Sequence, residues 1–261
     1  MKGSSSTLRV WFDLARAGNF PSVASNVLAA LILSSADDRG WPAAPLLVAM
    51  IAAGWVIYAG GATLNDVADA KFDAQHRPER AIPRGTISRG FAAVVGSVEI
   101  LLGLGVLIVA GASARWALAL AATILAYDWV HKRWIGSVVL MAGCRVLLAV
   151  SLATLAGHAL RPAFLAWISA LFVYIVVLSL IARWEYKVAP ASSRPPPDGR
   201  QDAGATSAGA VKLGRAVGRL LAFIPLIDAA ALLLVGAWLP ALACAVAVPL
   251  GRWAQRLAAA T

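Results

Sequence analysis

The chain has 261 residues, of which 60% are hydrophobic and 14% charged, and its mean hydropathy is +0.75. So little charge excludes a disordered chain and an ordinary soluble domain, whose surface needs more. The net charge of +10 is scattered between apolar runs instead of forming one stripe, so it does not mark a nucleic-acid partner, and Cys144 and Cys244 lie in apolar stretches that offer neither a disulfide framework nor a cysteine metal site.

What remains is an all-α integral membrane protein, a bundle of about eight transmembrane helices forming a single domain over 1–261. A spanning helix needs ~20 apolar residues. Such runs fall at about 18–36, 43–64, 90–111, 115–130, 137–157, 163–184, 217–236 and 238–256. Their Ala, Leu and Val, broken by Gly, suit helices that approach closely in lipid. No stretch alternates as a barrel strand does. The first run follows Asp13 and Arg16, too late and too polar a lead for a signal peptide, and is expected to be a retained helix. Basic residues set the orientation. Arg39, Arg115 and Arg161 fall on one side, and the other connections and both ends carry nearly all the rest, so both termini should face the cytoplasm, in a bacterial inner membrane. Most of the ten tryptophans, Trp11, Trp41, Trp116, Trp134, Trp238 and Trp253 among them, sit near run ends as interfacial anchors.

The second run ends in Asn65-Asp66-Val67-Ala68-Asp69-Ala70-Lys71-Phe72-Asp73. If the helix continues, Asn65, Asp69 and Asp73 lie at i, i+4 and i+8 on one face, with Asp66 at its flank. Carboxylates so close repel, and a divalent cation would relieve them. Mg²⁺ takes hard oxygen ligands and binds through one or two carboxylates plus substrate phosphates. The plainer alternative is a polar helix end. Next comes Arg77-Pro78-Glu79-Arg80-Ala81-Ile82-Pro83-Arg84-Gly85, arginine forks on a loop stiffened by proline. An acidic metal site beside a rigid basic loop suits a metal-bound diphosphate.

Asn65 to Ser88 resembles the first aspartate-rich motif of the UbiA superfamily of intramembrane prenyltransferases, N-D-x-x-D-x-x-x-D followed by R-P-x-R-P-I-P-x-G-x-I-S, with Ala81 in place of the second proline. Tyr127, Lys132, Gly136 and Gly143 are similar to that family's fourth-to-fifth connection, and Arg16, Asn19 and Asn26 also look family-like. The resemblance implies transfer of an isoprenyl group from an isoprenyl diphosphate to a hydrophobic, often aromatic, acceptor within the bilayer, with Mg²⁺ as cofactor. It implies that Asn65, Asp69 and Asp73 ligate metal, assisted by Asp66, and that Arg77, Arg80, Lys132 and Arg133 bind the diphosphate.

Further along, Arg145 lies deep in the fifth run, where a charge is expensive in lipid and should face the bundle interior. It either meets the diphosphate or acceptor, or pairs with Asp128, Glu99 or Glu185. The family's second motif, D-x-x-x-D, belongs at the end of the sixth run, and there the chain reads Ala182-Arg183-Trp184-Glu185. Glu185 replaces a pair, so a fully catalytic protein needs it to complete the metal shell. This ending looks like the EboC-like branch of the superfamily, and the alternative function is a non-catalytic relative that binds or moves a prenylated or lipid-like metabolite. Beyond it a flexible cytoplasmic loop is expected at about 187–212, where the four-residue spacing of Asp198 and Asp202 is accidental. Asp228, in the seventh run, is expected to be a buried structural partner or to stand at a helix end. His76, His131 and His158 show no metal spacing.

Overall fold

A computed structural model describes residues 7–35, 41–157, 160–192 and 203–258. Among the described residues it is all helical: α1 (Thr7–Leu14), α2 (Phe20–Ser34), α3 (Ala44–His76), α4 (Arg89–Val109), α5 (Ala114–Val130), α6 (Ser137–Ala153), α7 (Pro162–Ser192), α8 (Ala203–Leu234) and α9 (Trp238–Leu257). The last eight answer in order to the eight apolar runs. The short α1 is an addition. It buries Val10 and Leu14 against Ile87 and Ala92, at the start of α4, and leaves Leu8 and Phe12 exposed.

Among the described residues, five helical stretches are long and apolar enough to cross a membrane: Ala17–Ser34, Ala44–His76, Arg89–Val109, Pro162–Arg183 and Ala216–Leu234. Their outer faces are greasy. On α4, Val94, Val98, Leu101 and Leu102 are all exposed, a surface that is stable against lipid and not against water. Trp129, Trp134, Trp238 and Trp253 stand exposed at helix ends, as anchors at the membrane–water boundary do.

α2 is the hub. Twelve of its residues, from Ser22 to Ser34, are buried, and α3, α6, α7, α8 and α9 all pack against it. The α3–α4 seam is the tightest. A Cβ placed on Gly60 would stand 2.7 Å from the Gly96 carbonyl oxygen, and one on Gly103 would stand 2.5 Å from Ile57 Cγ1. Without a hydrophobic force between helices in lipid, such close backbone approach supplies the packing energy.

Three differences from the sequence reading bear on function. α3 does not stop at residue 64 but runs to His76, so the whole acidic motif is helical. Ser88 then caps α4 by accepting from the Phe91 amide at 3.2 Å, and Gly85, at φ 75°, makes the turn between the arginine loop and that cap. The connection expected at 187–212 has helical ends at Ser192 and Ala203, and residues 193–202, with Asp198 and Asp202, lie outside the described residues.

Candidate active site

The extension of α3 brings the expected face together. Asn65, Asp69 and Asp73 are 9%, 7% and 2% exposed, so the i, i+4, i+8 stripe is the buried one. Asp66 sits at its edge.

Each carboxylate of α3 meets a cation from another part of the chain. Arg80 reaches back from the loop and donates from Nη1 to Asp66 Oδ1 at 3.0 Å and to Asp73 Oδ2 at 3.1 Å. Arg16 donates from Nη2 to Asp66 Oδ1 at 3.1 Å and Asn65 Oδ1 at 3.2 Å. Its backbone is left-handed, at φ 48°, a strained conformation for this residue that turns the chain between α1 and α2. Burial works against the charge of Arg16, but Asp66, Tyr58 and Tyr127 together outweigh it, so its pKa stands above the ordinary value.

The end of α5 closes another side. Lys132 Nζ lies 3.1 Å from Asp69 Oδ2 and 3.7 Å above the Phe72 ring. His131 Nε2 lies 3.1 Å from Asp69 Oδ1, within ion-pair distance but off the line of a good hydrogen bond. Asp128 accepts from Asn65 Nδ2 at 3.1 Å. Arg183, on α7, donates to the His131 carbonyl and, at 2.5 Å, to Ser137 Oγ, which pins the turn between α5 and α6.

The donor set has the chemistry Mg²⁺ prefers, hard carboxylate and amide oxygens. Among the described residues, however, no three acidic, histidine or cysteine side chains converge as a metal shell. The positive charge beside the carboxylates comes from Arg16, Arg80 and Lys132 instead, with the His131 ring among them. Each of these is also a donor that a diphosphate would attract.

The expected site residues therefore divide. Asn65, Asp66, Asp69, Asp73, Arg80 and Lys132 come together. Arg77 continues the α3 spiral, its amide donating to the Asp73 carbonyl at 2.7 Å. Arg133 is exposed in the turn after α5. Glu185 is carried by α7, and its side chain lies outside the described residues. Arg145 belongs to a second network. It donates to Asn26 Oδ1 at 2.5 Å and Ser22 Oγ at 3.1 Å, and lies over the Tyr58 ring at 5.3 Å. Asn26 donates in turn to Asp228, which also accepts from Ser25 and, at 2.9 Å, from Trp167 Nε1. Asp228 is wholly buried, the first of the two places expected for it, and it reaches Arg145 through Asn26. Among the described residues, neither Asp128 nor Glu99 fills that place.

Sequence reasoning left Arg16, Asp128 and His131 out of the site. For the last two a signal existed: Asp128, His131 and Lys132 stand at i, i+3 and i+4 where an apolar helix ends, and so share a face. Beside the cluster, an apolar groove of about 440 Å³ runs between α1, α3 and α4, lined by Trp11, Ala15, Phe20, Trp55, Thr63 and Glu99 among others.

Comparison with known proteins bears on the family and the fold. The model of the UbiA prenyltransferase family matches residues 25–260. Over 130 residues the chain is 32% identical to digeranylgeranylglyceryl phosphate synthase of Methanopyrus kandleri, a stretch that takes in 48% of this chain and 45% of that protein. The matched part thus spans under half the length of that curated relative. A solved structure described for digeranylgeranylglyceryl phosphate synthase in membranes shares the fold, with a TM-score of 0.55 at 14% identity, covering 97% of this chain and 96% of the other.

Proposed function

This chain belongs to the UbiA prenyltransferase family, and on that premise we propose that it transfers an isoprenyl group from an isoprenyl diphosphate to a hydrophobic acceptor within the bilayer. The observation that carries the reading is the buried face of Asn65, Asp69 and Asp73, ringed by cations at one end of a helical bundle. Buried carboxylates gathered in this way are costly unless positive charge pairs with them; Arg16, Arg80 and Lys132 supply it here, and Mg²⁺ would add to it. Mg²⁺ would be held by Asn65, Asp69 and Asp73, with Asp66 beside them, and would stabilise negative charge on the departing diphosphate. Arg80 and Lys132, with Arg16, would bind the diphosphate oxygens, as arginine and lysine do at phosphoryl sites.

The C–O bond to the isoprenyl carbon breaks, its electron pair leaves with the diphosphate, and the allylic cation is captured by the acceptor, which gives up a proton. Water must be kept out, and the burial of Asn65, Asp69 and Asp73 serves that end. The groove against α1 and α3 has an apolar lining suited to an isoprenyl tail, and Ala15 in that lining neighbours Arg16. An aromatic acceptor remains our preferred class. The name of the M. kandleri relative points instead to a glyceryl phosphate lipid, and substrate competition would separate the two. By the distribution of basic residues, the site faces the cytoplasm of a bacterial inner membrane.

A second reading follows from the single Glu185 where the family's acidic pair is expected: an EboC-like protein that binds or carries a prenylated metabolite without cleaving it. One experiment covers both. Membranes containing the protein are incubated with radiolabelled isoprenyl diphosphates of several lengths, with and without Mg²⁺. Pyrophosphate release that requires Mg²⁺ and acceptor supports the transferase, whereas binding without release supports the carrier. Asp69→Asn and Asp73→Asn should each abolish turnover, and wild-type activity in the double variant would end the enzyme hypothesis.

A further inference from the structure

We propose that Asp128 is a further ligand of the metal–diphosphate site, a carboxylate contributed by α5. The inference rests on the function proposed above for the acidic face of α3. Asp128 stands three and four residues before His131 and Lys132, and both of those reach Asp69 at 3.1 Å, so the end of α5 lies along the acidic face. Asp128 Oδ1 is engaged, accepting from Asn65 Nδ2 at 3.1 Å. Asp128 Oδ2 is buried and has no hydrogen-bond partner among the described residues. A buried carboxylate oxygen left in that condition is destabilising. A cation brought with the substrate would give that oxygen a partner.

Two neighbours strengthen the case. Asn65 is held by both ends of its amide, Nδ2 giving to Asp128 while Oδ1 accepts from Arg16, so Asp128 and a ligating oxygen of Asn65 are fixed relative to each other. At the same level, α7 presents a guanidinium: Arg183 binds the His131 carbonyl and Ser137 Oγ. That contact locks the segment bearing Asp128 in place. The metal shell would then draw on α3 and α5.

The test separates charge from shape. Asp128→Asn keeps an acceptor for Asn65 Nδ2 and replaces the charged second oxygen with an amide. If Asp128 served only to hold Asn65, this variant would be silent. Full-length protein in lipid nanodiscs is titrated with farnesyl thiolodiphosphate, which resists cleavage, at graded Mg²⁺. D128N should need about tenfold more Mg²⁺ for half-maximal binding, the scale of loss seen when a supporting group of a metal site is removed. Asp128→Glu keeps the charge and should stay near wild type. Unchanged Mg²⁺ dependence in D128N, while Asp69→Asn loses binding, overturns the role of Asp128 and leaves the proposed function standing. Equal loss in D128N and D128E also overturns it, since shape and not charge would then be what the site needs. If the wild-type protein itself binds none of the analogue in Mg²⁺, the function falls and this inference falls with it.

Discussion

Arg80→Ala offers the sharpest test of the charge balance. The guanidinium makes two charge-assisted hydrogen bonds, at 3.0 Å to Asp66 and 3.1 Å to Asp73. Breaking a buried ion pair by removing one partner costs about 3–5 kcal/mol. Here the side chain of Arg80 is 18% exposed and that of Asp73 only 3%, so partial hydration of the surviving group places the loss at the low end, about 3 kcal/mol. At ~2–4 °C per kcal/mol for a chain of this size, the midpoint of unfolding should fall by about 6–12 °C. The ten tryptophans make intrinsic fluorescence a sufficient probe in detergent or nanodiscs. The diagnostic arm is Mg²⁺. If the guanidinium occupies the electrostatic place of the metal, adding Mg²⁺ should close most of the gap between R80A and wild type, because the ion restores positive charge beside Asp66 and Asp73. Arg80→Lys, which keeps the charge and loses the fork, should fall between them. Equal midpoints for R80A and wild type without metal, or a gap that Mg²⁺ leaves intact, would refute the idea that these carboxylates await a cation.

Other outcomes follow from distances already given. Gly103→Ala puts a methyl group 2.5 Å from Ile57 Cγ1 and 2.9 Å from the Ala53 carbonyl oxygen, so α4 must move away from α3 at a cost of about 1–3 kcal/mol, whereas Gly105→Ala meets nothing within 4 Å and should be neutral in the same melting assay. Arg145→Met and Asp228→Asn each leave a buried charge without its counterpart and should cost about 3–5 kcal/mol. The double variant should cost clearly less than the two losses combined, since the two sites share Asn26. Lys132→Ala removes a side chain that is one-third exposed, so the unfolding midpoint should barely move, while the concentration of isoprenyl diphosphate needed for half-maximal binding should rise about tenfold, as loss of one charge-assisted bond predicts.

Hydropathy made the eight helices after α1 legible as apolar runs, and five of those described have the length that lipid imposes on a span. It says little about α1, whose eight residues bury only Val10 and Leu14 and never enter that length rule. The acidic stripe was equally legible, because helical spacing alone places Asn65, Asp69 and Asp73 on one face. Their partners were not. Arg16 lies 49 residues from Asn65 in sequence and Asp128 lies 63 away, and nothing local announces such pairings. A basic residue near a helix end also has an ordinary explanation, the positive flank of a membrane span, which hides the one that turns inward. For Arg145 the depth was readable and the partner was not. Its countercharge acts through Asn26 from a helix 83 positions further on, a relay that a search for direct acid–base pairs passes over.

The burial of α2 has a consequence for how the protein is made. Ser25 and Asn26 find their acid on α8 only after some two hundred further residues have been synthesised, and Cys244 of α9 packs against the same turn. Until those late segments arrive, the helix at the centre is a span with an unsatisfied polar side, held in the bilayer by its valines, leucines and isoleucine. Biogenesis must therefore tolerate a half-clothed core for most of translation. Ribosomes stalled before α8 should yield a species that proteases and quality-control machinery can recognise by that bare polar stripe.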